Sequence, residues 1–338
     1  MLDEEGFLLD IYKYIDEISK RNYSRVVIEF SEGVYSRAIE FYRSLKERIR
    51  DIDIILNDNP RYGSCDIDIN FYLQLNPDII IHIGHNPYPY YSRVINKLGL
   101  RVHYIPYYIK IDDEGLKWIK DVVSVNDKLK IGLAASIQYL PSLYKVYRQL
   151  NRNSTSLIKL PGLPHGQIIG CLSRALYRYT RNLDKIYFIG GGKFHALGLA
   201  LYSGKPTFLL DIHRKNILSL ETEVRKFKSL VMWNIYRAMD SKVFGVIAGK
   251  SGLQNMVGRV NTIKNLLDRH GKKYVTLYLD RFDENILDRH RDLDAFIAGS
   301  CPRIAIDDIT RVKKPILNLE QLLILFGYKK FEEVYPNG

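Results

Sequence analysis

Three stretches of this chain resemble one another at the spacing of a small domain, and that repeat restricts the fold more than any other feature. Asn76-Pro77-Asp78 precedes IIIHIGH, Asn182-Leu183-Asp184 precedes KIYFIGGG, and Asp292-Leu293-Asp294 precedes AFIAGSC. Each is an apolar run that leaves through glycine. The aspartates are 106 and 110 residues apart, too far for a solenoid repeat and about right for a domain.

Other runs keep the same phase. Arg25 to Phe30, Lys130 to Ser136 and Val243 to Lys250 each lie some fifty residues ahead of their aspartate. IDIILN from Ile52, TSLIKL from Thr155 and KKYVTLYLD from Lys272 form a further set, and RVHYIPY from Arg101, KPTFLLD from Lys205 and KPILNLE from Lys314 another. About four strands per unit follow. Between them, apolar residues recur at helical spacing: Ile67, Phe71, Tyr72 and Leu75 before Asn76-Pro77; Leu172, Ala175, Leu176 and Tyr179; and Phe194, Leu197 and Leu201 before Gly204. Strands that alternate with helices and read as continuous apolar runs imply parallel sheets covered on both faces. The expected fold class is therefore α/β, with three pseudo-repeated domains arranged around a central site: residues 1–124, 125–238 and 239–338, each a small parallel sheet flanked by helices. In such sheets ligands collect beyond the carboxyl ends of the strands.

Of the 338 residues, 46% are hydrophobic and 26% charged, a globular composition. The segment Met1 to Asn22 is acidic and then amphipathic, without the features of a secretory signal, and no apolar run approaches the roughly 20 residues that span a bilayer. A cytoplasmic protein without a membrane partner is expected. The formal charge of +12 would suit an acidic macromolecule, but Lys and Arg are spread along the chain, which fits a solvated basic surface equally well. No aromatic string or basic helix supports direct nucleic-acid binding.

The three cysteines, Cys65, Cys171 and Cys301, cannot all pair, so they are buried filler or ligands. Cys65 and Cys171 each precede their aspartate by 13 residues, and Cys301 follows its own by 7. Each unit thus contributes one cysteine near a glycine-marked exit. The sequences YGSC and IIGC suggest that Cys65 and Cys171 open helices, where dipole and free amides would favour thiolate. Three thiolates suit an iron–sulfur cubane with one iron left open, whereas structural zinc usually takes a closed shell of about four ligands.

Other candidates are less specific. Gly190-Gly191-Gly192 could let a ligand approach the backbone or could be a tight turn. His195, in the first turn of the next helix, could contact a cofactor or be structural, and the same holds for His85, His165 and Gln167. Gly249-Lys250-Ser251-Gly252 lacks the spacing of a P-loop. Arg303, Asp307 and Asp308 could form an ion pair that fixes the Cys301 loop.

The motifs Tyr62-Gly63-Ser64-Cys65-Asp66, His82-Ile83-Gly84-His85-Asn86-Pro87, Gly166-Gln167-Ile168-Ile169-Gly170-Cys171, Gly190-Gly191-Gly192-Lys193-Phe194-His195 and Cys301 to Asp308 together resemble the archaeal diphthamide synthases. These are 2-(3-amino-3-carboxypropyl)histidine synthases, and the resemblance runs through nearly the whole chain. It implies a three-domain homodimer in which Cys65, Cys171 and Cys301 hold a 4Fe–4S cluster with S-adenosylmethionine at the open iron. It further implies an external electron donor, reductive cleavage at the methionine Cγ, methylthioadenosine as by-product, and attack of a 3-amino-3-carboxypropyl radical on C2 of a histidine in elongation factor 2. Gly190, Gly191, Gly192, His195 and Gln254 are the residues it suggests for cofactor binding, although Leu253 interrupts the family's spacing before Gln254. Orientation of the sulfonium would set which bond breaks, and no general base is assigned. A quinolinate-synthase-like dehydratase is the runner-up, and a basic nucleic-acid-binding module the reading from another class.

Overall fold

The structure is a computed structural model that describes residues 4–49, 51–59, 61–89, 92–125, 128–171, 176–249, 257–279, 282–306 and 308–336. Three sheets succeed one another along the chain. The first contains β1 (Arg25–Phe30), β2 (Asp53–Leu56), β3 (Ile79–Gly84) and β4 (Val102–Pro106). The second contains β5 (Ile131–Ala135), β6 (Thr155–Leu157), β7 (Lys185–Ile189), β8 (Thr207–Asp211) and β9 (Asn216–Ser219). The third contains β10 (Val243–Gly249), β11 (Lys273–Leu279), β12 (Ala295–Ala298) and β13 (Ile316–Asn318).

Each sheet has the same spatial order, second strand, first, third, fourth, with all of these neighbours parallel. Parallel neighbours need covered crossovers, which explains why Val26, Val27, Ile28, Val246 and Ile297 are fully buried. Strand β9 departs from the repeat: it pairs antiparallel with β8 after a turn in which Lys215 takes φ 46°. Its residues Asn216, Ile217 and Ser219 are exposed, so no apolar run announces it.

The repeated aspartates have one structural job. Asp78 accepts from the amides of Ser24 (2.6 Å) and Arg25 (2.8 Å), Asp184 from Lys130 (2.7 Å), and Asp294 from Lys242 (2.8 Å) and Val243 (2.9 Å). In return their own amides donate to the carbonyls of Arg25, Lys130 and Val243. Each carboxylate thus locks the start of its unit's first strand to the third. Those backbone hydrogen bonds hold the Asp78 and Asp294 carboxyls below the usual range.

The helix Ile69–Leu75 carries Asp68 as N-cap, accepting from Phe71 N, and ends at Asn76 in the left-handed region. The helix Lys193–Ser203 ends at Gly204, φ +64°, as the sequence predicts. The largest core runs through the second and third units, joining Leu199 and Leu201 to Phe296 and Ile304, with Tyr335 seated among Tyr202 and Phe227. No described helix is long and apolar enough to cross a membrane.

Candidate iron–sulfur site

The carboxyl ends of the strands open onto a cavity of about 400 Å³, and Cys65, Cys171 and Cys301 all line it. All three are thiols, none joined in a disulfide. They reach the cavity by different routes. A parallel bridge sets Arg61 beside Ser31, after β1, and another sets Gln167 beside Ala135, at the end of β5. Cys65 and Cys171 each follow their bridge residue by four positions, the local expression of the repeat. Cys301 comes from the exit of β12, through Gly299, whose amide donates to Ile247 O at 3.0 Å.

The expectation that Cys65 opens a helix does not hold. It sits in a turn closed by Asp66 N donating to Gly63 O (2.9 Å), and the helix begins later, at Ile69. No helix dipole therefore lowers its thiol; burial pushes it well up, and proximity to Cys171 and Cys301 pushes it further. Cys171 follows Gly170 at a short helical turn, while Leu172 and Ala175 of the expected helix lie outside the described residues.

The Cys171 loop is fixed from behind by the helix Lys193–Ser203. His195 accepts at Nδ1 from Gly170 N at 3.0 Å. Gly198 packs so closely that a Cβ there would stand 2.6 Å from Gly170 O. Across the cavity, Asn86 and Gln167 exchange hydrogen bonds at 2.8 and 2.9 Å, tying the first unit to the second. Tyr88 Oη lies 3.9 Å from Cys171 Sγ, and its phenol is pushed up by burial first and then by Cys171 and Cys65.

His195, His85 and Gln167 line the cavity, but Gly190, Gly191 and Gly192 do not. The glycines instead form the exit of β7. A Cβ on Gly190 would meet the Phe188 ring at 2.5 Å, and one on Gly191 would approach Tyr139 Oη at 3.3 Å. His165 is exposed and away from the cavity, its carbonyl accepting from Tyr144 Oη. Asp308 lines the cavity beside Arg311, which donates to it at 3.2 Å and to Glu284 at 2.6 Å. Gln254, Lys250, Ser251 and Asp307 lie outside the described residues.

Sequence reasoning missed a buried polar cluster behind His85. Glu29 and His82 are fully buried register partners on β1 and β3. Glu29 Oε1 lies 2.6 Å from His82 Nδ1, while its Oε2 accepts from Tyr72 Oη and stands 3.2 Å from Arg61 Nε. His82 Nε2 is 3.0 Å from His85 Nδ1. A signal existed: RVVIEF and IIIHIG are parallel-strand runs, each interrupted once by a side chain that titrates.

The sequence profile of the diphthamide synthesis proteins matches residues 30–336. The chain belongs to that family. As a diphthamide synthesis protein it is an enzyme of that pathway. The 2-(3-amino-3-carboxypropyl)histidine synthase of Methanocaldococcus jannaschii is 28% identical over 342 residues, covering 96% of this chain and 91% of that one. The Pyrococcus horikoshii synthase is 27% identical over 339 residues, covering 95% and 92%. Subunit 1 of the Saccharomyces cerevisiae synthase is 26% identical over 343 residues, covering 98% and 77%. The crystal structure of Dph2 from Pyrococcus horikoshii with a 4Fe–4S cluster superposes with a TM-score of 0.79 at 24% identity, over 96% of this chain and 93% of that one, so the fold is shared.

Three thiols from three units border one cavity, and each ionised sulfur would raise the others, an arrangement that a cation between them would relieve. Among the described residues no three His, Cys, Asp or Glu side chains are drawn together tightly enough to hold a single metal ion. A group of several irons, to which each sulfur is bound at a different point, fits thiols spread around a cavity.

Proposed function

We propose that this chain moves the 3-amino-3-carboxypropyl group of S-adenosylmethionine to C2 of a histidine imidazole in translation elongation factor 2, the first step of diphthamide synthesis. The observation that carries this reading is the convergence of one cysteine from each of three sheets on one cavity. Cys65, Cys171 and Cys301 would hold a 4Fe–4S cluster, which supplies the electron that breaks a carbon–sulfur bond of the sulfonium.

The chain's own residues supply placement. Ile168, Ile247, Leu279 and Phe282 give the cavity an apolar wall that excludes water from the reacting group. Asn86 and Gln167 hold two units at a fixed separation, so that sulfurs from different sheets keep their positions. Of the candidate cofactor contacts, His195 reaches the cavity, its ring oriented by the Gly170 amide that donates to Nδ1. The reading includes a cytoplasmic homodimer, an external electron donor, and domains divided after residues 124 and 238.

Anaerobic reconstitution with iron and sulfide, followed by reductant and S-adenosylmethionine, tests it. Methylthioadenosine, identified by mass, is the expected product; 5′-deoxyadenosine or no cleavage would overturn the reading. Independently of turnover, Cys65→Ala, Cys171→Ala and Cys301→Ala should each remove the cluster's visible absorbance.

A further inference from the structure

Replacing hydrogen by carbon at C2 of an imidazole leaves one proton to be removed. With methylthioadenosine as the other product the sum is S-adenosylmethionine plus imidazole giving alkylated imidazole, methylthioadenosine and H⁺. The S–C and C2–H bonds break, the C2–C bond forms, and any electron lent at the start returns to the iron–sulfur group. Nothing described so far takes that proton.

We propose that His85 takes it at Nε2, and that Glu29 and His82 are positioning residues whose hydrogen-bond chain keeps that nitrogen bare and passes the proton inward. This rests on the transfer reaction proposed above. The direction of the chain follows from its buried end. Glu29 is fully buried, and although burial alone would raise its carboxyl, His82, Arg61 and Tyr72 together hold it below the ordinary range. A carboxylate only accepts, so the proton between it and His82 belongs to His82 Nδ1, at 2.6 Å. Arg61 also faces this carboxylate, at 3.2 Å, and with the His82 proton on Nδ1 the Nε2 of that tautomer carries a lone pair. That lone pair accepts from His85 Nδ1 at 3.0 Å.

The ring of His85 then presents its remaining lone pair, at Nε2, on the side of the cavity. A Cβ built on Gly63 would stand 4.0 Å from His85 Nε2 and 3.7 Å from Cys65 Sγ, which places this nitrogen on the wall that carries the first thiol. Burial above all holds His85 well below the ordinary imidazole range, so the ring is neutral and ready at neutral pH. A weak base suffices because losing the C2 proton restores the aromatic ring. The proton on His85 Nε2 is matched by transfer of His85 Nδ1–H to His82 and of His82 Nδ1–H to Glu29, so no cation stays at the cavity.

Glu29→Gln separates this account from a structural role. Arg61 can only donate, so the amide oxygen takes the place of Oε2 and the NH₂ faces His82 Nδ1. The chain reverses, and His85 Nε2 becomes protonated. Nitrogen-15 spectra of histidine-labelled protein, without cluster or substrate, should show bare Nε2 at His85 in the wild type and protonated Nε2 in Glu29→Gln. A wild-type His85 protonated at Nε2 overturns the proposal.

In the reconstituted enzyme, His85→Gln should keep the visible absorbance while histidine modified per methylthioadenosine released falls about 10²- to 10⁴-fold, the range for loss of a general base. Deuterium at C2 of the target imidazole should then slow transfer. Unchanged modification in His85→Gln overturns this inference and leaves the transfer reading intact. Wild-type enzyme that yields no methylthioadenosine overturns the transfer reading first, and this inference with it.

Discussion

Substituting Gly198 by alanine should loosen the cysteine loop that Gly198 supports without touching the cavity. The ideal Cβ would stand 2.6 Å from Gly170 O, 2.8 Å from Gly170 Cα and 3.1 Å from Gly170 C, all backbone atoms that cannot rotate away. Ordinary non-bonded carbon contacts lie near 3.5–4.0 Å, so helix and loop must part by roughly 1 Å. Overpacking of this kind costs about 1–3 kcal/mol, and the better helix propensity of alanine returns about 0.8–1.0 kcal/mol. A net loss of about 0–2 kcal/mol, or a Tm lower by up to roughly 3 °C, follows for a chain of this size. The atoms displaced are those of Gly170, whose amide holds His195 and whose neighbour is Cys171, so iron loading should fall as well. Thermal unfolding by circular dichroism and iron per chain after reconstitution are the measurements. Unaltered Tm together with full iron content would refute the claim that this glycine contact positions Cys171.

Three further substitutions probe the frame. Asp294→Asn should cost about 1 kcal/mol at neutral pH, the value of two partly exposed charge-assisted hydrogen bonds. Because the folded-state carboxyl is depressed, that stability is present above the unfolded value near 3.8 and is lost as pH falls through the folded one. Urea midpoints of wild type and variant should therefore converge towards acid pH. Asn86→Ala leaves the Gln167 amide, 2% exposed, without its partner and should destabilise by about 1–3 kcal/mol in urea unfolding, with part of the loss recovered in Asn86→Ala/Gln167→Leu. Gly258→Ala, in the helix Val257–Arg269 with open space around the new methyl, should raise stability by about 0.5–1 kcal/mol; a drop in Tm would contradict that environment.

The strands were legible because parallel sheets are covered on both faces, and the chain writes such strands as uninterrupted apolar runs. Runs such as VFGVIAG needed no partner to be recognised. The aspartates were legible as a pattern but not as a mechanism, since nothing local tells that a carboxylate will reach amides some fifty residues earlier. Strand β9 was illegible because an exposed edge strand has little apolar surface to reveal it. The start of the helix after Cys65 was misplaced because glycine before an apolar residue signals a boundary without fixing it. Asp68, whose side chain accepts from Phe71 N, is the cap that decides.

The glycines of Gly190-Gly191-Gly192 show why composition misleads about sites. A glycine run after a strand is needed wherever backbone comes close to something, and here the close neighbours are protein: the Phe188 ring and Tyr139 Oη. The pair that closes on the site, Gly170 and Gly198, is split between two elements 28 positions apart and forms no motif. The same separation hid Glu29 and His82. Each is a single polar intrusion in an apolar strand, unremarkable alone, and only parallel registration of β1 with β3 brings the two side chains together on one face. Placement by register also explains why cysteines at inequivalent positions of the repeat converge: loops after the central strands of three sheets share one cavity, so Cys301 reaches it from the exit of β12 as directly as Cys171 does from the loop bridged to β5.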